Sequence, residues 1–212
     1  MSAFPADWAP GTWRISGSAL DGGWLAIPAL ADAEQQQAWI AENTALLREA
    51  WGDQWTAENE ALVPLALQSA LDRRRPDDAL AFQLWPLTIA VCAFVHVAMG
   101  SVDAAEPMPG PGDGVLFDSA GLGQGVLSPR LLDADGAALI GYDTVFSFDG
   151  VAVVVSVEPT FADFLGVISP SIHAFMDGME LVDPEGATRR ASAPALLETQ
   201  PVNTWVDSLT AS

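Results

Sequence analysis

Residues 137–158, AALIGYDTVFSFDGVAVVVSVE, form the stretch that decides the fold. Asp149 and Gly150 separate two runs rich in β-branched and aromatic residues, and Asp-Gly in such a place is the strongest short-range signal of a β-hairpin. A type I′ turn is expected there, with positive φ at both central residues. Residues 151–157 are almost continuously apolar, which is typical of a strand covered on both faces. We therefore expect this hairpin to lie at the centre of a sheet.

Two helices are expected before the hairpin. Asp32 is a good N-cap residue at the start of the first helical pattern, and Gly52 ends that pattern. The second helix is expected within residues 56–75. Pro64 falls inside that range, so either the helix is kinked or it begins near Leu62 with the proline in its first turn.

Two short helical segments are expected after the hairpin. Thr160 with Asp163 marks the start of the first. Ser169 and Pro170 have the order of an N-cap followed by proline at the first helical position, which marks the start of the second. The second segment carries an apolar stripe with helical spacing, formed by Ile172, Phe175, Met176 and Met179.

The remaining apolar runs are expected to form strands, at residues 12–15, 24–28, 79–85, 87–98, 115–117 and 125–132. The predicted fold class is therefore α+β, with a mostly antiparallel sheet of about six or seven strands and helices packed on one face. We divide the chain into an N-terminal arm (residues 1–22), a single α+β domain (residues 23–182) and a C-terminal tail (residues 183–212).

The order of these elements resembles that of a known group of proteins. A strand led by Trp24, paired helices, strands, an Asp-Gly hairpin and a short helix follow one another over residues 24–182. This order is similar to that of small uncharacterised actinobacterial-type α/β proteins and, at the level of the fold, to PsbP-like sandwiches. The resemblance implies an architecture and carries over no functional residue.

Charge and composition exclude several classes of function. The 212 residues carry a formal net charge of −20, and all eight basic residues are arginines. A surface this acidic repels nucleic acid and anionic membranes and favours cationic partners. Without lysine the chain has no Schiff-base residue and no phosphate-loop lysine. The N-terminal residues do not have the pattern of a signal peptide, so we expect a cytoplasmic protein.

The residues that carry most enzyme chemistry are few. Cys92 is the single cysteine, and His96 and His173 are the only histidines; neither histidine has a nearby partner with metal-ligand spacing. The glycines in residues 121–125 match neither a dinucleotide-binding fingerprint nor a phosphate-binding loop, so a turn or strand entry is expected. We therefore expect no catalytic residue, no metal and no cofactor.

Paired carboxylates leave an enzyme open as a third hypothesis. Asp133 and Asp135 are close in sequence and suit a turn, in a type I plus glycine-bulge pattern, while Asp177 and Glu180 suit the end of a helix. A catalytic pair would need two acids in one cleft, at least one of them with a strongly raised pKa.

Tryptophan supplies the candidate binding residues. Eight tryptophans are present, and four of them fall in predicted loops or tails: Trp8, Trp13, Trp55 and Trp205. Exposed tryptophan is enriched at protein interfaces because it offers a large apolar area and one hydrogen-bond donor. We predict a non-enzymatic cytoplasmic protein-binding module, of an accessory, immunity or chaperone-like kind, whose partner is another protein with a more basic surface.

The alternative is a small apolar ligand or a lipid held in a cleft between sheet and helices. Four phenylalanines are the expected lining: Phe82, Phe94, Phe146 and Phe148. A continuous apolar pocket would favour this hypothesis, and a filled core at these residues would exclude it.

Overall fold

The computed structural model describes residues 11–17, 19, 22–101 and 114–192. Within these ranges the chain forms three α-helices and ten strands. The helices are α1 (Ala33–Trp51), α2 (Ala57–Arg73) and α3 (Ala162–Asp177). The strands are β1 (Arg14–Ser16), β2 (Trp24–Ala26), β3 (Asp78–Leu84), β4 (Ala93–Ser101), β5 (Val115–Ser119), β6 (Gly123–Ala134), β7 (Ala137–Ser147), β8 (Val151–Thr160), β9 (Glu180–Val182) and β10 (Thr188–Arg189).

Seven strands form one antiparallel sheet in the order β2-β3-β4-β8-β7-β6-β5. The predicted α+β fold class is confirmed. The predicted hairpin of β7 and β8 is confirmed too, and β8 is the fourth of the seven strands. Four valines of β8 at alternating positions are almost fully buried: Val151, Val153, Val155 and Val157.

The turn types predicted for the two Asp-Gly dipeptides are both wrong: the type I′ geometry expected at Asp149-Gly150 is found at Asp135-Gly136, where a type I turn with a glycine bulge was expected. At Asp135-Gly136 both residues have positive φ, 54° and 84°, as a type I′ turn requires. At Asp149-Gly150 only the glycine does, with φ 82°. The type I′ prediction for Asp149-Gly150 is therefore wrong, because the dipeptide fixes the position of a turn but not its type.

The helix boundaries follow from their caps. Asp32 accepts a hydrogen bond from the backbone N–H of Glu34 at 2.9 Å, and Gly52 ends α1, as predicted. Thr56 caps α2 through Asn59 N, so Pro64 lies inside the helix and the alternative start near Leu62 is wrong.

Two further expectations about local structure are corrected. Residues 162–177 form one helix, α3, with Pro170 inside it, rather than two short helices. Residues 85–92 form a loop between β3 and β4 that bends at residues 87–90, where the second strand was expected from residue 87. No helix in the described part of the chain is long and apolar enough to cross a membrane.

The helices pack on the sheet through alternating residues of β3. Phe82 belongs to the main core with Phe175 of α3. Its neighbours Ala81 and Gln83 point the other way: Ala81 packs with Ala70 of α2, and Gln83 Nε2 donates to Ala66 O of α2 at 2.8 Å. The pair α1–α2 thus covers one face at the β2–β4 end, and α3 contacts the side chains of the other face.

The ends of the described chain meet in a second, small sheet of order β1-β9-β10. Ile15 of β1 is buried in the main core, as is Ala191, which pairs with Gly123. Ala191 N donates to Leu122 O at 2.7 Å, and Gln124 N donates to Ala191 O at 2.9 Å. The prediction that residues 183–212 form a tail is therefore wrong for residues 183–192, which belong to the domain.

Glycine is needed where this C-terminal segment meets β6. Gly123 has φ 88°, and a Cβ atom there would lie 2.4 Å from Ala191 O. At Gly121 a Cβ atom would lie 2.0 Å from Met179 O. The predicted strand entry at residues 121–125 is confirmed, and the close approach of two backbone segments explains its glycines.

Candidate functional site

A buried ionic network lies on the face of the sheet that α2 covers. His96 of β4 sits between two carboxylates: its Nδ1 is 2.7 Å from Asp78 Oδ2, and its Nε2 is 3.1 Å from Glu158 Oε1. Glu158, at the end of β8, also pairs with Arg73 Nη1 of α2 at 2.5 Å. The network therefore joins β3, β4, β8 and the last turn of α2.

The two carboxylates and the imidazole of this network are largely removed from water, while Arg73 is half exposed. The side chains of Asp78 and His96 are 0% and 1% exposed, and that of Glu158 is 18% exposed. Asp78 Oδ2 also accepts the backbone N–H of Arg75 at 2.8 Å. Buried charges require partners of opposite sign, so the geometry favours an imidazolium that donates to a carboxylate on each side.

The pKa values support this assignment. Burial alone would lower the pKa of His96, but its hydrogen bonds to Glu158 and Asp78 outweigh burial and raise it. Burial alone would raise the pKa of Glu158, but the hydrogen bond to His96 and the charge of Arg73 lower it. Both shifts favour the charged form of the group.

The network fastens the last turn of α2 to three strands of the sheet. A general base needs a free nitrogen facing the substrate, and both nitrogens of His96 are engaged. Cys92 packs beside Trp85, and burial raises the pKa of its thiol to about 12, so it is a poor nucleophile. Asp78 and Glu158 flank the imidazole instead of converging on one point, and no group of His, Cys, Asp and Glu in the described residues is placed to hold a metal ion.

The network predicts how stability changes with pH. The raised pKa of His96 contributes stability in full below its unfolded pKa of about 6.5, and this contribution is lost as pH rises through the folded pKa. The lowered pKa of Glu158 contributes stability above about pH 4.3, and this is lost as pH falls through the folded pKa. We expect both contributions to be complete between about pH 4.3 and 6.5.

The measurement is the melting temperature of the wild type and of His96→Leu from pH 3 to 9. Above pH 6 the difference between the two melting temperatures reports on His96, because His173, whose pKa burial lowers, acts equally in both proteins. At lower pH the difference also includes Glu158, whose pKa the hydrogen bond to His96 lowers. A difference that does not shrink as pH rises from 6 to 9 would contradict a charged His96.

Further polar contacts fasten α2 to the sheet and to residues 85–92. Asn59 Nδ2 donates to Thr88 O at 3.3 Å, and Gln83 Nε2 donates to Ala66 O. Val63 and Leu67 of α2 pack against Trp85. These contacts hold α2 and the loop side by side.

Large apolar side chains are exposed on this pair of segments. Five residues, here called the α2 patch, are 41–65% exposed: Leu62, Leu65, Leu87, Ile89 and Val91. Leu62 lies one helical turn beyond Asn59, which bonds the loop. Exposed large apolar side chains on two segments that are bonded to each other are candidates for an interaction site, so we take the α2 patch as the candidate functional site.

Of the four tryptophans predicted to bind partners, the structure describes Trp13 and Trp55, and both lie in loops as predicted. Trp8 and Trp205 lie outside the described residues. Trp13 is half-buried and packs against the main core. Trp55 is half-buried as well, and its ring centroid lies 5.4 Å from that of Trp51. Its Nε1 donates to Glu60 Oε2 at 2.9 Å, and the guanidinium of Arg48 lies over its ring. The indole N–H of Trp55 is therefore already used within the domain.

The four phenylalanines do not line one cleft. Phe82 and Phe146 are buried in the main core and Phe148 packs against it, whereas Phe94 lies on the opposite face beneath Arg73. The predicted lining of the cleft is therefore wrong. Successive residues of a strand face opposite sides of the sheet, and Phe94 faces the side away from the other three. An apolar cavity of about 310 Å³ is present elsewhere, at the edge strand β2, and Phe82 is the one predicted residue that lines it.

The paired carboxylates act within turns and loops. Asp133 Oδ1 accepts the N–H of Gly136 at 2.8 Å, as expected of a turn former. Asp177 Oδ1 accepts the N–H of Ala120 at 2.8 Å, so it ties the end of α3 to the turn after β5. Glu180 accepts a hydrogen bond from Thr188 within the small sheet.

Comparison of the chain with protein-family models, with curated proteins and with solved structures found no match. The resemblance to small actinobacterial-type and PsbP-like proteins stays a prediction.

Proposed function

We propose that the protein is a non-enzymatic cytoplasmic module that binds another protein through the α2 patch. The observation that carries the proposal is the exposure of five large apolar side chains on two segments that polar contacts hold together. Burying such side chains against a partner contributes about 25 cal/mol per Å² of apolar area. The proposal rests on leucine, isoleucine and valine side chains, and the binding role of the four tryptophans stays a prediction.

The charges around the α2 patch define the chemistry of the partner. The exposed acids of α2 include Glu58, Glu60 and Asp72, and the whole chain carries a net charge of −20. Opposite charges at the rim of an interface raise the association rate and suppress wrong partners. The proposed partner therefore presents an apolar surface flanked by arginine or lysine.

The test begins with capture of proteins from the native lysate on the tagged full chain at low salt. The captured partner is then purified and titrated against the wild type and against the double variant Leu65→Gln/Ile89→Gln. Removing two anchor residues at the centre of an interface is expected to weaken binding at least about tenfold, because the loss of even one anchor that contributes about 2 kcal/mol exceeds the roughly 1.4 kcal/mol of a tenfold change.

Leu131→Gln is the matched control. Leu131 lies on β6, outside the α2 patch, and it is 65% exposed, as Leu65 is. Binding of the purified partner should be unchanged by this variant and should weaken as salt is raised. Equal affinity of the double variant and the wild type, or failure to capture any partner, would overturn the proposal.

A further inference from the structure

The cavity at the edge of the sheet is a second binding site, independent of the α2 patch. It lies where the short edge strand β2 passes between α1 and α3, and its volume is about 310 Å³. This volume is at the lower end of the range for small-molecule sites. None of the five residues of the α2 patch lines it.

One face of α1 forms a wall of the cavity. Trp39, Glu42, Asn43 and Leu46 all line it, and their spacing of i, i+3, i+4 and i+7 places them on a single stripe of the helix. Asn43 is buried, and its Nδ2 donates to Trp39 O at 2.7 Å. Leu46 is about half exposed, so the wall reaches solvent at this end.

The opposite wall is aromatic. Trp24 stacks on Phe175 with ring centroids 4.6 Å apart, and Phe82 meets both rings edge to face, at 5.9 and 5.0 Å. With Trp39, four aromatic residues surround one small space. The π-faces of aromatic rings carry partial negative charge, which attracts cations.

The charged side chain among the described residues that line the cavity is acidic. Glu42 is the acidic residue of the lining, and the described residues around the cavity include no arginine. The net charge of −20 raises the local concentration of cations near any concave site. Anionic ligands such as fatty acids are disfavoured on the same grounds.

We infer that this cavity binds a small apolar cation, an alkyl- or aryl-substituted ammonium group, with the apolar part against the rings of Trp24, Trp39 and Phe82 and the charge toward Glu42. Aromatic walls combined with a carboxylate are the chemistry that recognises quaternary ammonium groups. The proposal names the class of ligand, and it holds whether or not the α2 patch binds a protein.

The test uses phenyltrimethylammonium as the probe and tert-butylbenzene as its uncharged isostere. Binding to the full chain is measured by ligand-observed NMR. We expect millimolar or tighter binding of the cation, and we expect Glu42→Gln to weaken it about fivefold while leaving the neutral probe unchanged. Glu49→Gln is the matched control, since Glu49 is also exposed on α1 and does not line the cavity.

Ala26→Phe should abolish binding of both probes, because Ala26 is an exposed lining residue that pairs with Phe82 and a phenyl ring there fills the space. If this variant does not fold, Leu46→Arg replaces it: an exposed cation beside Glu42 should repel the charged probe alone. No binding of the cation at millimolar concentration, or binding that neither Glu42→Gln nor the blocking variant weakens, would overturn the inference.

Discussion

Replacing His96 with leucine is expected to lower the free energy of unfolding by about 3–5 kcal/mol near pH 6, because it leaves buried carboxylate charge without its partner. Asp78 is then fully buried beside an apolar side chain, and Glu158 keeps only Arg73. Denaturant unfolding monitored by circular dichroism measures the loss. In a chain of this length it corresponds to a fall in melting temperature of about 10 °C.

Ser156→Ala is the control for the His96 substitution. Ser156 lies opposite His96 in the pairing of β4 with β8 and is buried, and its hydroxyl donates to Asp143 Oδ1 at 2.6 Å. Removing this single hydrogen bond should cost about 1 kcal/mol. Adding Asp78→Asn to His96→Leu should recover part of the loss, since the charge is removed. A loss for His96→Leu no larger than that for Ser156→Ala would show that the network is not ionic.

Truncation after residue 183 is expected to give a melting temperature about 10 °C below that of the chain truncated after residue 192. The first deletion removes β10 and Ala191, with backbone hydrogen bonds to β9, Leu122 and Gln124. Several bonds at about 1 kcal/mol each account for the size of the effect. The second deletion removes none of the described contacts.

Differential scanning calorimetry of the two truncated proteins and the full chain checks this prediction. The first truncation also leaves Asp183 without the Ala187 N–H and the guanidinium of Arg189, which lower its pKa in the intact chain. Equal melting temperatures for the two truncated proteins would contradict a structural role for residues 184–192.

The sequence was sufficient to predict the elements that local chemistry determines. Asp32 and Gly52 bound α1 because caps act within one helical turn, and the Asp149-Gly150 turn joins two strands with strong apolar patterns. The strand β10 has only two residues, so no periodic pattern could reveal it. Pro64 and Pro170 stand inside helices that continue through them, whereas the local rule expects proline to end a helix or to begin one.

The candidate site was less predictable, because it depends on strand register. A histidine in an apolar strand signals a buried partner, but nothing local to His96 identifies Asp78 or Glu158 as that partner. The pairing of β4 with β3 and β8 brings the three together. The α2 patch could not be foreseen either, since exposure of Leu65 and Ile89 follows from how α2 is seated on the sheet.

The order of the strands also has a consequence for how the chain folds. Strands β5 to β8 follow one another in space as in sequence, so each hairpin forms by closing a short loop. The pairing of β4 with β8 is different: it joins Val95 to Val157 and closes a long loop, which costs chain entropy and slows folding. His96 bonds across this seam to Glu158 and back to Asp78. The ionic network thus stabilises the contact between parts of the chain that are slowest to meet.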